Sequence, residues 1–159
     1  MTLIRSSYDP DNLPEIRTHE IHAGLRPLPG ALPVAEAVRL GRNFNHALRM
    51  VGTDVHAGPL PAAAALISAS PETAILSSVK KAEEGDALIL TFFDPTGAAT
   101  TVAARFDAAM LGRPISATEV DLMERPLARS TAAVAGDTVT AELPGRGIVS
   151  VKVAFARSD

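Results

Sequence analysis

The chain has 159 residues, of which 47% are hydrophobic and 21% are charged, and its formal net charge at pH 7 is −3. These values are typical of a soluble globular protein and exclude a disordered chain. The net negative charge provides no basic surface for nucleic acid, and no run approaches the ~20 apolar residues of a spanning helix. We therefore expect one domain, or one domain with an arm, that binds neither nucleic acid nor a membrane.

The sequence contains no cysteine and no tryptophan, and only 4% of its residues are aromatic. Without cysteine it has no disulfide, no thiolate metal site and no cysteine nucleophile. The low aromatic content excludes a tryptophan-rich platform for stacking sugars. The N-terminal residues MTLIRSSYDPD lack a hydrophobic signal core, so we expect a cytoplasmic location.

Residues 1–30 are predicted to form an extended arm. Several prolines surround a strand-like run at Ile16–Leu25. A segment of this kind cannot bury a core of its own. We therefore expect the arm to need a partner surface.

Residues 31–50 contain the clearest helical pattern and are predicted to form one short helix and a linker. Pro33 suits the first helical position. Apolar or small residues recur near the 3.6-residue period at Val34, Val38, Gly41, Phe44 and Leu48. Because Gly41 lowers helix stability by about 1 kcal/mol relative to alanine, we expect Gly41 to pack against another element.

Residues 51–159 change to a period of two, which is typical of strands. Short alternating runs, such as 88–92, 139–143 and 149–155, are separated at intervals of about ten residues by turns rich in glycine and proline. This pattern predicts a mainly β fold, an antiparallel immunoglobulin-like β-sandwich of about seven strands. Around Val120 the same alternation predicts inward Val120 and Leu122 and solvent-facing carboxylates at Glu119 and Asp121.

The histidines give no convincing metal site. His19 and His22 are three residues apart, a spacing that suits one face of a helix, whereas this region is predicted to be extended. Asp54 and His56 share one face of an extended segment, but a zinc site needs further ligands. Nothing nearby in sequence supplies those ligands. We therefore predict no metal ligand and no cofactor in this chain.

Charge is concentrated at one bend of a predicted hairpin and again beyond Val120. The two groups are Lys80, Lys81, Glu83, Glu84 and Asp86, and Glu119, Asp121 and Glu124. An exposed carboxylate without a neighbour that shifts its pKa is a poor general acid at neutral pH. The sequence has no nucleophile elbow, no S-x-x-K motif at the start of a helix and no phosphate loop. The residues alone therefore predict a solvated hairpin tip and no catalytic residue.

The order of several segments resembles the C-terminal β domains of glycoside hydrolase family 38 α-mannosidases. LSSVKKAEEGDALILTFFDPTG is followed by ATTVAARF, by ATEVDLMERPL and by a final alternating strand at Ile148–Phe155. The family has a segment of the E-x-D-L-x-E type, and the similar residues in this sequence are Glu119, Asp121, Leu122 and Glu124. Upstream, LIRSSYDPD and THEIHAGLRPLPG are similar to the end of the family's central β domain. NFNHALRMV and HAGPLP are similar to the linker into the final sandwich, so the resemblance covers nearly the whole chain.

This resemblance implies a structural role. Family members hydrolyse α-mannosides with retention, using a carboxylate nucleophile and a zinc ion held by histidine and aspartate in an N-terminal domain. No part of this sequence matches that domain, so no catalytic or metal residue carries over. The chain is expected to be a non-catalytic C-terminal portion, from a truncated gene product or one half of a split enzyme. Its expected partners are the catalytic portion of the enzyme or another copy of itself, and an α-mannoside is a further candidate ligand.

If a loop of this sandwich reaches the rim of the active site, the first candidates to contact substrate are Lys80, Lys81, Glu83 and Asp86. Two alternatives remain open. The chain could be a stand-alone carbohydrate-binding module, with Tyr8 and Phe93 as candidate exposed aromatics. It could also be a homo-oligomeric interaction module, in which the arm pairs with an edge strand of another copy.

Overall fold

The computed structural model describes residues 18–55, 57–58 and 61–156. The chain divides into two units, Met1–Ala31 and Leu32–Asp159. In the first unit, residues 18–31 contain neither helix nor strand, and Leu25 is 97% exposed. The strand-like run predicted at Ile16–Leu25 is therefore wrong for its described residues. A strand needs a neighbour that pairs with its backbone, and these residues have no paired strand.

The second unit begins with helix α1, Val34–Asn45, which Pro33 directly precedes. Two arginines hold α1 on the sandwich, because Arg42 Nη2 donates to the Ser77 carbonyl at 3.0 Å and Arg39 Nη1 donates to the Glu72 carbonyl. Ala35 is the buried residue of this helix. Among the described residues, no helix combines the length and apolar character needed to cross a membrane.

The apolar face predicted for α1 is wrong. Val34 and Phe44 are about half exposed, and Leu48 lies beyond the end of the helix with 96% of its surface exposed. Gly41 has open space where a Cβ atom would lie, so it does not pack against another element. Guanidinium–carbonyl hydrogen bonds, rather than an apolar stripe, attach the helix.

The remainder of the unit is built from strands with one additional helical turn. In chain order, the elements are β1 Ile67–Ser70, β2 Ile75–Lys81, β3 Ala87–Phe93, β4 Thr100–Phe106, α2 Ala108–Leu111, β5 Pro114–Val120, β6 Ala133–Ala135, β7 Thr138–Leu143 and β8 Ile148–Phe155. They form two four-stranded sheets, with the orders β1-β4-β7-β6 and β2-β3-β8-β5. Every pairing is antiparallel.

The predicted antiparallel β-sandwich is confirmed, with eight strands in the described residues rather than about seven. The second helix, α2, was not predicted. It is only four residues long, and the Asp107 side chain caps it by accepting hydrogen bonds from the amides of Ala109 and Met110. Such a short turn leaves no helical periodicity in the sequence.

The hydrophobic core lies between the two sheets. Its buried members come mainly from the central strands of both sheets, namely Leu90, Phe92, Val102, Ala104, Phe106, Val139, Ala141, Leu143, Val149, Val151 and Val153. At one end, the rings of Phe106 and Phe155 meet edge to face, with centroids 5.1 Å apart. The period of two predicted from the sequence therefore identifies the inward faces of these strands.

The alternation predicted around Val120 is wrong both within β5 and beyond its end. Val120 is buried, but in a second apolar cluster that is separate from the core between the sheets. Glu119 is only 9% exposed, and its Oε1 accepts a hydrogen bond from the Thr131 amide at 2.8 Å. Because β5 ends at Val120, Leu122 lies in a turn and is 90% exposed. The carboxylate thus faces inward and the leucine faces outward.

These two leucine environments give the first prediction. Leu90 is 1% exposed, so Leu90→Ala should leave a cavity and lower the free energy of unfolding by about 2–5 kcal/mol. Leu122→Ala removes the same atoms from a side chain that is 90% exposed, so the change should stay within about 0.5 kcal/mol. Urea denaturation monitored by circular dichroism measures both values. Equal losses in the two variants would contradict the inward placement of Leu90.

Candidate functional site

The predicted charged bend is the turn of the hairpin formed by β2 and β3. Lys80 pairs with Ile89 and Lys81 pairs with Leu88 in the antiparallel ladder. The Ala82 amide closes the turn by donating to the Ala87 carbonyl at 2.8 Å. Gly85 has φ +80°, a backbone conformation that glycine adopts without steric cost.

The tip of this hairpin is tied to a distant turn. Glu124 Oε1 lies 2.6 Å from Lys80 Nζ, and Glu124 Oε2 accepts a hydrogen bond from the Glu83 amide at 2.9 Å. Lys152 Nζ donates to the Glu84 carbonyl at 3.1 Å. We call these five residues the tip cluster. Since the Glu124 side chain is only 9% exposed, the expectation that Glu124 lies on a solvated face is wrong.

The tip cluster lies on the outer face of the β2-β3-β8-β5 sheet. Lys80, Ile89 and Lys152 are neighbours across three adjacent strands and therefore share one face. Their sequence neighbours Leu90 and Val151 point into the core. Ile89 is 4% exposed and packs in a second apolar cluster with Ala82, Ala87 and Val120. The chain after β5 therefore crosses this outer face to bring Glu124 to Lys80.

The electrostatics of the tip cluster favour a fixed ion pair. The hydrogen bond to Glu124 raises the pKa of Lys80, and the hydrogen bond from Lys80, assisted by the Glu83 amide, lowers the pKa of Glu124. Both groups are therefore charged at neutral pH. A general acid or base works best with a pKa near the operating pH, so this pair is suited to holding the hairpin rather than to transferring protons.

Asp121 organises the turn that carries Glu124. Its Oδ1 accepts hydrogen bonds from the amides of Met123 and Arg125, both at 2.9 Å. Its Oδ2 lies 2.8 Å from both Nε and Nη2 of Arg125. The Arg125 amide and guanidinium lower the pKa of Asp121. The expected solvent-facing carboxylate is therefore the centre of a hydrogen-bonded turn.

Lys81 and Asp86 lie apart from the tip cluster. Lys81 Nζ and Asp86 Oδ1 are 3.7 Å apart, and their side chains are 72% and 83% exposed. Both line an open groove of about 420 Å³. The other lining residues are Ala87, Leu88, Leu111, Phe155 and Ala156. The sequence-based candidates thus divide between Lys80 and Glu83 in the tip cluster and Lys81 and Asp86 at this groove.

Asp94 is a buried polar residue that the sequence analysis did not single out. It is 5% exposed and accepts hydrogen bonds from the Thr96 hydroxyl at 2.6 Å and the Gly97 amide at 2.6 Å. It also accepts one from the Arg146 amide at 2.8 Å. The Thr96 hydroxyl is the main cause of its lowered pKa. Asp94 therefore joins the turn after β3 to the turn after β7, and the D-P-T-G sequence was its only local signal.

The described residues do not form a zinc site of the kind that the family resemblance implies for a catalytic domain. Among residues 18–55, 57–58 and 61–156, no group of three or more His, Asp or Glu side chains is placed to hold a metal. His22 Nε2 lies 3.0 Å from Glu20 Oε1. His56, which the sequence analysis considered with Asp54 and did not predict as a metal ligand, lies outside the described residues.

The comparison with protein families gives one match. The family model of the glycosyl hydrolases family 38 C-terminal beta sandwich domain matches residues 73–154. This range is just over half of the 159 residues and includes the tip cluster, Asp94 and the groove residues Lys81 and Asp86. No curated protein matches the chain.

The ion pair in the tip cluster gives the second prediction. Because the folded-state pKa of Glu124 is lowered, its stabilising contribution should be complete above the unfolded pKa of glutamate, about 4.3, and lost as pH falls through the folded-state pKa. Lys80 has a raised pKa, so its contribution should be lost as pH rises through that value, above about 10.4. Thermal unfolding of wild type and Glu124→Gln across this pH range measures the difference.

The control for this prediction is the same Glu124→Gln change in a Lys80→Met background. Removing the partner should reduce the pH-dependent difference in melting temperature that the Glu124→Gln change produces. A difference that persists unchanged without the lysine would show that the pair is not the source of the effect.

Proposed function

We propose that this chain, which belongs to the glycosyl hydrolases family 38 C-terminal beta sandwich domain family, is a non-catalytic portion of an α-mannosidase-like enzyme. In this role it packs against the catalytic portion and supports it. The match over residues 73–154 carries the proposal. The resemblance of the LSSVKKAEEGDALILTFFDPTG segment to family 38 α-mannosidases supports the choice of an α-mannoside as the substrate class.

The hydrogen bonding of the carboxylates supports a non-catalytic role. Retaining glycosidases place two carboxyl groups about 5–5.5 Å apart on either side of the scissile bond. Here Asp94 joins two turns and Glu119 accepts from Thr131. Asp121 holds the Arg125 side chain, and Glu124 holds Lys80. Each of these four acidic side chains thus holds a turn or a neighbouring segment of this chain, which supports the non-catalytic role.

Lys81 and Asp86 are the better candidates for contact with a substrate at an active-site rim. Their side chains are largely exposed, and a separation of 3.7 Å leaves both groups available to other hydrogen-bond partners. Lys80 Nζ and the backbone amide of Glu83 bond to the same Glu124 carboxylate, which holds the lysine side chain and the Glu83 backbone. We therefore propose Lys81 and Asp86 as rim residues, a structural role for Lys80, and a structural role for Glu83 through its amide, although the Glu83 side chain is 82% exposed.

The groove beside Lys81 also favours a second candidate, a carbohydrate-binding module. Its volume of about 420 Å³ falls within the usual range for small-ligand sites. It combines apolar Leu88, Leu111 and Phe155 with the charged pair at its edge. Of the two aromatics named from the sequence, Tyr8 lies outside the described residues and Phe93 is half-buried. The homo-oligomeric alternative stays a prediction.

The structural-partner proposal predicts direct binding to a family 38 catalytic portion. Mixing the 159-residue chain with an α-mannosidase that lacks its own C-terminal sandwich should raise the melting temperature of the catalytic portion and its hydrolysis of an aryl α-mannoside. Differential scanning fluorimetry and a chromogenic assay measure these effects. A chain that neither binds nor changes either value would reject the proposal.

The carbohydrate-binding candidate predicts localised changes in the groove. Titration with mannose and mannobiose should shift the backbone amide resonances of Lys81, Asp86 and Leu88, since these residues line the groove. Lys81→Ala should weaken the shifts, whereas Glu142→Ala, on a different sheet, should leave them unchanged. Uniformly unchanged spectra would exclude this function.

A further inference from the structure

The turn formed by residues 121–125 exposes two consecutive large apolar side chains. Leu122 is 90% exposed and Met123 is 72% exposed. Neither residue belongs to the hydrophobic core or to the smaller cluster on the outer face of the sheet. Single exposed apolar residues are common on protein surfaces, so their exposure alone assigns no role.

What distinguishes this turn is how firmly its backbone is held. Asp121 accepts hydrogen bonds from the amides of Met123 and Arg125, and the Glu124 amide donates to the Asp121 carbonyl at 2.9 Å. Glu124 has φ +60°, a left-handed conformation that residues other than glycine adopt at a cost. Its carboxylate is fixed by Lys80 and the Glu83 amide. Leu122 and Met123 are therefore presented on a preorganised support.

The charges of the turn define the chemistry of what could cover it. Asp121 is ion-paired with Arg125 at 2.8 Å, and Glu124 is ion-paired with Lys80 at 2.6 Å. Each charge thus has its counter-charge within this chain. A strongly charged surface would gain little from such a turn, whereas an uncharged apolar pocket could cover Leu122 and Met123 without separating either pair. An anionic membrane surface, which attracts clusters of unpaired basic residues, is disfavoured for the same reason.

We infer that the 121–125 turn is the principal docking contact of this domain, with Leu122 and Met123 inserting into an apolar pocket on the catalytic portion of a family 38 hydrolase. The inference rests on the proposed function and names the residues that would carry the contact. A preorganised turn loses little conformational freedom on binding. A few well-placed side chains commonly supply most of the affinity of an interface, and the flexible methionine side chain adapts to an irregular pocket.

The inference is tested with Leu122→Ser/Met123→Ser in the full 159-residue chain. Isothermal titration calorimetry with a family 38 catalytic portion that lacks its own C-terminal sandwich should show at least about tenfold weaker binding than wild type. The matched control is Ile115→Ser, which removes a side chain that is 64% exposed near the start of β5 and should retain wild-type affinity. Unchanged circular dichroism would show that all variants remain folded.

The possible results separate the inference from the proposed function. Wild-type affinity in the double variant would overturn the inference and leave the structural-partner proposal intact. No binding by the wild-type chain would reject both. An equal loss of affinity in the Ile115→Ser control would overturn the inference, because the contact would not be specific to the turn. Sedimentation of the chain alone is one further experiment. Self-association that disappears in the double variant would overturn the inference and show that Leu122 and Met123 contact a second copy of this chain instead of the catalytic portion.

Discussion

The structure depends above all on the burial of side chains between two four-stranded sheets. Leu90 and Phe92 from one sheet and Val102 and Leu143 from the other are each at most 2% exposed. A sheet with one apolar face is stable in water only when another layer covers that face. Full burial of one such side chain stabilises the folded state by about 1.5–3 kcal/mol relative to exposure. Because the two layers cover each other, the turns and outer faces can carry polar side chains.

Polar contacts then fix the turns that the core cannot reach. Asp94 connects the turns after β3 and β7, and Glu124 connects the turn after β5 to the β2–β3 hairpin. Close backbone approach adds a steric constraint at Gly145, where a Cβ atom would collide with the Gly97 carbonyl oxygen. Carboxylates that stand out in the sequence as candidates for chemistry are therefore used largely to hold loops. This use of acidic residues supports the structural role that we propose for the domain.

The success of sequence-based prediction differed between elements for identifiable reasons. The core strands were predictable because Val149, Val151 and Val153 keep the period of two and all face the other sheet. The packing of α1 was not predictable from its apolar period, because Arg39 and Arg42 attach it through carbonyl oxygens of distant residues. The alternation also failed at Leu122, since β5 ends before it and a turn has no inner and outer face. For the candidate site, the sequence located the charged hairpin but not the division of its residues between the tip cluster and the groove.

By itself, the sequence determined that the chain forms an antiparallel β-sandwich, where its turns rich in glycine and proline fall and which family it resembles. These properties depend on patterns among residues that are close in sequence, namely the alternation within a strand, glycine and proline at turns, and the order of neighbouring segments. Only the tertiary structure decided which charged side chains form ion pairs and which apolar side chains are exposed at the surface. Glu83 and Glu124 are 41 residues apart, and Asp94 and Arg146 are 52 apart, so no local pattern relates them. Sheet packing and the path of the chain across the outer face bring them within hydrogen-bonding distance, and this convergence holds Leu122 and Met123 at the surface.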